Sequence, residues 1–124
     1  MNISKFTQKS VQAVQDLEKV AYEYGNQEIE QEHLLYTLLT QEDSLILKLI
    51  EKMEINKEYF LNTVKNALDA KVKVSGGELR FGQYLNKALV NAEDEAKAMG
   101  DEYVSVEHLF LALLKYPSPS MKKI

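Results

Sequence analysis

The chain has 124 residues, 45% hydrophobic and 27% charged, with no cysteine and a formal net charge of −4 at pH 7. That length fits one domain able to bury a core without covalent staples, and the lack of cysteine excludes disulfides, thiolate metal sites and cysteine nucleophiles. A mildly acidic chain with no basic stripe argues against nucleic acid and anionic membrane surfaces as partners, because Lys and Arg on phosphates supply most of that affinity.

The start, Met1-Asn2-Ile3-Ser4-Lys5, has no apolar signal-peptide core. A first helix is predicted from Phe6, Ala13, Val14, Leu17, Val20, Ala21 and Tyr24, whose steps of three or four residues mark one helical face. Gly25 follows where a left-handed C-cap is expected. A second helix runs from about Gln31, with Leu34, Leu35, Leu38 and Leu39 inward. Its apolar stretch, Leu34 to Leu39, falls far short of the ~18 residues of a membrane span, and the expected location is the cytoplasm. Asp43 is the expected cap of a third helix carrying Leu45, Ile46, Leu49, Ile50 and Met53, and Asn56 that of a fourth carrying Phe60, Leu61, Val64 and Leu68. Lys71-Val72-Lys73-Val74 alternates like a strand but is short and has no evident partner, and Ser75-Gly76-Gly77 reads as a linker. A fifth helix carries Leu85, Ala88, Leu89, Ala92, Ala96 and Met99 and stops at Gly100. Ser105 caps a sixth with Leu109, Phe110, Leu113 and Leu114.

Residues 6–39 superimpose on 81–114 with a shift of 75 and no gap, and 11 of those 34 pairs are identical. Both copies hold Glu-His-Leu-x-x-x-Leu-Leu, at Glu32 and at Glu107, and both place a glycine after the long helix. A period of 75 is too long for a solenoid unit. The expected fold is therefore all-α, built of two helical repeats related by a pseudo-two-fold and meeting along their first and fifth helices. Repeat 1 spans about 4–70, a linker 71–80, and repeat 2 about 81–124. After Leu114 only the beginning of a third helix for repeat 2 is present, from Ser118. The expectation is a truncated second repeat within a longer polypeptide, a frayed tail and some apolar surface left uncovered.

No residue set spells out a catalytic centre. His33 and His108 with Glu32 and Glu107 could be read as a metal site or a small hydrolase, but the order is not His-Glu-x-x-His, in which both histidines share one helical face. Each histidine falls in a first helical turn, within reach of backbone groups there, so a structural role is favoured. Gly76-Gly77 with Gly82 lacks the Gly-Lys-Ser/Thr of a phosphate loop. Glu93, Asp94 and Glu95 form a solvated face rather than an acid–base pair, which needs burial to shift a pKa.

Lys5-Phe6-Thr7, Gln41-Glu42-Asp43, Lys73-Val74-Ser75-Gly76-Gly77 and the run from Gly100-Asp101-Glu102-Tyr103-Val104-Ser105 to Val106-Glu107-His108-Leu109 together resemble the Clp N-domain family, a double Clp-N motif, from Lys5 to Leu114. The Lys-Val-Ser-Gly-Gly linker and Ser105-Val106-Glu107-His108-Leu109 are closer to the ClpB branch than to the ClpC branch. The resemblance implies the N-terminal, substrate-binding module of an ATP-dependent ClpB-type disaggregase, contacting exposed apolar segments of unfolded or aggregated polypeptides. The alternative it leaves open is the adaptor-docking domain of a ClpC- or ClpA-type protease ATPase.

By the same resemblance the parent is a hexameric AAA+ ATPase working with a DnaK-type chaperone. ATP and magnesium belong to later domains, so this part carries no cofactor, metal or catalytic residue and is expected to be monomeric in isolation. The groove positions that carry over are Thr7, Leu89, Asp101 and Glu107. Each also has a plain structural reading: Leu89 as core, Asp101 as a turn residue, and Glu107 as a first-turn acid favoured by the helix dipole.

Overall fold

A computed structural model describes residues 3–74 and 76–124. Met1, Asn2 and Ser75 lie outside the described residues, and with them the first positions of the signal-peptide reading and of the Ser75-Gly76-Gly77 linker.

Six helices form: α1 Gln8–Glu23, α2 Gln31–Thr40, α3 Leu45–Lys52, α4 Lys57–Asp69, α5 Gln83–Ala98 and α6 Val106–Lys115. Adding 75 to the ends of α1 and α2 gives the ends of α5 and α6, so the duplication holds at the level of whole elements. The glycine signals act as expected. Gly25 and Gly100 stop α1 and α5 at φ +71 and +73, a conformation that costs glycine little because it has no Cβ.

The caps agree with expectation except at α3. Thr7 Oγ1 accepts the Ser10 N–H at 3.3 Å, and Asn56 Oδ1 accepts the Tyr59 N–H at 3.0 Å. The cap of α3 is Ser44 rather than Asp43: Ser44 Oγ accepts the Leu47 N–H at 3.0 Å and donates to the Leu38 carbonyl. Asp43 instead takes the left-handed turn position at φ +56, which Asp tolerates better than most residues with a Cβ.

Two very short parallel pairings cross between the copies. Strands β1, Glu28–Ile29, and β2, Arg80–Phe81, pair with Ile29 opposite Phe81, while Phe6 forms an isolated bridge with Val104. Ile29 and Val104 are equivalent positions, as are Phe6 and Phe81, so each copy's lead-in residue pairs with the other copy's turn. The bonds repeat as well: Gly82 N–H to Ile29 O at 2.8 Å and Thr7 N–H to Val104 O at 2.9 Å.

The shared core contains Leu17, Leu34, Leu38, Leu85, Leu109 and Leu113, all at most 1% exposed. Fully burying such a side chain stabilises the fold by about 1.5–3 kcal/mol. The copies do not meet mainly along α1 and α5, as expected from the sequence. They meet through α6, which packs on both α2 and α3, with α1 on α6 and α2 on α5 as flanking contacts. α6 carries Leu109, Phe110, Ala112 and Leu113 on its buried side, so seating it against the first copy removes more apolar surface from water than an α1–α5 seam would.

The tail is not frayed. Ser118 is buried, and its N–H donates to Gln31 Oε1 at 2.9 Å. Gln31 Nε2 donates in turn to the carbonyls of Tyr84 and Tyr116, so one buried amide ties three segments together. A 3₁₀ turn at Met121–Lys123 follows, with Met121 and Ile124 packed on the core. The uncovered apolar surface is present, at Leu114, 58% exposed.

Candidate functional site

The start of α6 projects between two concave surfaces. On one side Thr7 and Lys9 from the start of α1, Gln41 and Leu45 from the α2–α3 corner, and Val106 and Glu107 enclose about 410 Å³. On the other side Met99, Asp101, Tyr103, Ser105, Glu107 and His108 line about 420 Å³. A third depression, about 310 Å³, continues along the helix over Leu49, Met99, Phe110, Leu111 and Leu114 and again includes Glu107. Glu107 is thus the exposed ridge that all three share. Leu45, Met99 and Leu114 are 43%, 60% and 58% exposed, so the surface offers apolar contact beside a carboxylate, and α6's N-terminal N–H groups favour an acid in that turn.

Local folding explains each position. The Thr7 N–H is tied to Val104 O, and the neighbouring Ser10, itself buried, donates through Oγ to the same carbonyl at 2.7 Å. These bonds clamp the start of α1 against the turn that leads into α6. The sequence reading missed Ser10, whose only signal is a small hydroxyl at an otherwise apolar helical position.

Of the four groove positions expected from the resemblance, Thr7 and Glu107 line one concavity, and Glu107 and Asp101 the next. Leu89 does not join them. It is 1% exposed, on the face of α5 that is packed in the core, so its side chain belongs to the hydrophobic cluster and not to a groove.

Both histidines are parts of helix caps. His33 Nδ1 accepts the Glu30 N–H at 2.9 Å while Nε2 donates to Asn26 Oδ1 at 3.0 Å. Burial, aided by the nearby Lys71 charge, lowers the His33 pKa to about 4, which keeps the ring neutral, as the donor–acceptor pattern requires. In the second copy His108 Nδ1 accepts the Ser105 N–H at 2.9 Å, and Nε2 donates to Asp101 Oδ2 at 2.8 Å. Both ring nitrogens are used in each case, and no group of three or more metal-ligating side chains occurs among the described residues.

Glu32, the equivalent of Glu107, is 1% exposed. Its Oε2 receives the Ser120 hydroxyl and lies 3.3 Å from Lys71 Nζ, which also reaches Glu30 Oε2 at 3.0 Å. Among the described residues, Glu32 Oε1 is the one buried side-chain oxygen or nitrogen without a hydrogen-bond partner.

A pseudo-symmetric pair of helical units, each with a histidine capping its second helix (His33 with Glu30, His108 with Ser105), and an apolar and acidic cleft at the start of α6 define the class as a double-repeat helical domain. The family described as the Clp repeat (R) N-terminal domain matches residues 5–124, and the chain belongs to that family. The chain is 38% identical to "Chaperone protein ClpB" of Nitratidesulfovibrio vulgaris over 98% of its length, and 38% identical to that of Clostridium tetani over 100%. It spans about 15% of the length of those relatives. Among solved structures it is similar to the Hsp104 N-terminal domain from Candida albicans, with a TM-score of 0.85 at 21% identity, covering 97% of this chain and 79% of that one. It is also similar to the N-terminal domain of the ClpD chaperone from Arabidopsis thaliana, with a TM-score of 0.74 at 18% identity over 99% of this chain and 84% of that one. No helix among the described residues is long and apolar enough to cross a membrane.

Proposed function

We propose that this chain is the N-terminal substrate-binding module of an ATP-dependent ClpB-type disaggregase, and that the cleft shared by Thr7 and Glu107 receives exposed apolar segments of unfolded or aggregated polypeptides. The observation that carries this reading is the clustering of exposed Leu45, Met99 and Leu114 around one exposed acid. Identity to ClpB chaperones along the whole chain supports the choice of branch. The module itself would do no chemistry. ATP and magnesium would be handled by later domains of a hexameric parent that works with a DnaK-type chaperone in the cytoplasm.

Binding of this kind is weak. Apolar burial is worth about 25 cal/mol per Å², and ordering an extended ligand offsets much of it, so affinities near or weaker than about −8 kcal/mol are expected. The test is a titration of a permanently unfolded, apolar-rich polypeptide into the isotopically labelled chain. Amide shifts at Thr7, Val106 and Glu107, weakened by Leu45→Gln in a chain that remains folded, are the expected result. No shift there, with shifts appearing instead on addition of a folded adaptor protein, would move the reading to adaptor docking by a ClpC- or ClpA-type protein.

A further inference from the structure

Two distant segments of the chain meet at the first turn of α2. One is the tail after α6: Gln31 Oε1 accepts the Ser118 N–H at 2.9 Å, and Glu32 Oε2 accepts the Ser120 hydroxyl. The other is residues 71–74, which cross the turn between α1 and α2. There the Val74 N–H donates to Gly25 O at 2.9 Å, Asn26 Nδ2 donates to Val72 O at 3.0 Å, and Lys73 Nζ donates to Tyr24 O at 2.6 Å. This segment, which the sequence left as a strand without a partner, is therefore a strap whose partner is the turn ahead of α2. Its first residue, Lys71, places Nζ 3.3 Å from Glu32 Oε2, so one carboxylate oxygen serves both the tail and the strap.

Glu32 has little slack. Its side chain is 1% exposed and that of Lys71 12%, and Lys71 is shared with Glu30 at 3.0 Å. Among the described residues, Glu32 Oε1 has no hydrogen-bond partner. A buried carboxylate with one oxygen unbonded is costly, so the closed arrangement is held against a pull towards water, and the Lys71 charge offsets that pull. Without that charge the carboxylate keeps only the Ser120 hydroxyl. Ser120 is itself exposed, so lifting the tail is enough to rehydrate Glu32.

The fold does not demand these polar tethers. The shift of 75 relates Gln31 to Val106 and Ser120 to Leu45, and Val106 and Leu45 lie together where α3 starts beside α6. The same joint is thus made in the other half with two apolar side chains. At the tail, hydrogen bonds and one shared charge replace that contact, and such bonds add little net stability when made but cost much when one partner is lost. The tail also covers something. Met121 and Ile124 close over Leu35, Phe60, Phe110 and Leu113 around a hollow of about 160 Å³, and Leu35 and Leu113 are almost fully buried.

We propose that Glu32 is a latch coupling the strap to the tail: when Lys71 leaves Glu32, the chain from Ser118 onward lifts and uncovers the apolar surface of Leu35, Phe110 and Leu113. The inference is independent of the polypeptide-binding reading above. Amide hydrogen exchange on the isotopically labelled chain tests it. Lys71→Met keeps an apolar side chain of similar length and removes the charge. The amides of Ser118 and Lys122, bonded to Gln31 Oε1 and to Ser118 O, are expected to exchange about tenfold faster in this variant, while those of Ala92 and Ala96 in α5 keep their rates. In a Glu32→Gln background no buried charge remains, and Lys71→Met should then leave the tail unchanged. Lys57→Met, which removes a lysine paired with Glu51 instead, should also leave it unchanged. Coupling is reciprocal, so Ser120→Ala, a change at an exposed position, should speed exchange at Val74 about twofold. The latch is overturned by unchanged tail rates in Lys71→Met, by equal acceleration in the tail and in α5, by acceleration that persists in the Glu32→Gln background, or by an unmoved Val74 in Ser120→Ala.

Discussion

The two copies place identical residues in opposite circumstances. Leu39 and Leu114 occupy the same position in the repeat, yet one is 2% exposed and the other 58%. Glu32 and Glu107 are likewise equivalent, one sealed beneath Lys71 and the tail and the other standing at the rim of three depressions. In the first copy α3, α4 and the strap close over the repeat. The same α2-type helix is therefore buried on nearly every side in one half, and in the other keeps its core face but leaves Glu107 and Leu114 at the surface. What decides between burial and exposure is the neighbourhood rather than the residue.

That contrast can be broken or sharpened by experiment. The largest effect is expected from Leu39→Ala, which leaves a cavity and should lower stability by about 2–5 kcal/mol, whereas Leu114→Ala should stay within about 0.5 kcal/mol. Denaturant midpoints of the two variants measure the difference, and equal losses would mean that the exposure of Leu114 is not maintained in solution.

Acid comes next. The folded-state pKa of His33 lies near 4, below the ordinary value of 6.5. Its contribution is therefore complete above about pH 6.5 and is lost as pH falls towards 4, a change of about 3 kcal/mol. Stability profiles of the chain and of a folded His33→Gln variant should converge as the pH drops. Parallel profiles would show that His33 does not carry the loss.

Glu32→Gln removes a buried partner of Lys71 and should cost about 1–3 kcal/mol, while Glu107→Gln, at the exposed equivalent position, gives up only its interaction with the start of α6 and should cost less than about 1 kcal/mol. The caps come last among the stabilising contacts: Ser105→Ala should cost about 1 kcal/mol. The matched change Glu30→Ala removes a weaker cap but also a partner of Lys71 at 3.0 Å, so its cost combines the two losses.

Much of the fold was legible because helices announce themselves through spacing. The duplication placed α1, α2, α5 and α6 together, and Gly25 and Gly100 marked their ends. The cross-copy bridges were not legible, since pairings of one or two residues at Phe6, Ile29, Phe81 and Val104 are too short to show a period of two. Asp43 and Ser44 are both good caps, and only the positive φ of Asp43 separates them. Thr7, Asp101 and Glu107, expected from the resemblance, line the concavities at the start of α6, whereas Leu89, expected beside them, is packed in the core. A leucine on a helix looks the same in sequence whether it faces a groove or a core. The strap was visible as an alternation, and its partner was invisible because the bonds run to a turn and not to another strand.

The exchanged pairings carry a consequence for how the chain reaches its fold. Ser10 and Val104, 94 residues apart, share a hydrogen bond that clamps the start of α1, and neither half holds both partners of its own bridges. Loop closure over that span comes before the reward, so these cross-copy pairings are expected to form late, after the helices of each copy have packed on one another. Each half packs mainly on itself, yet its short bridges are completed by the other half, so the two copies are joined by exchanged edges rather than by a plain face-to-face seam.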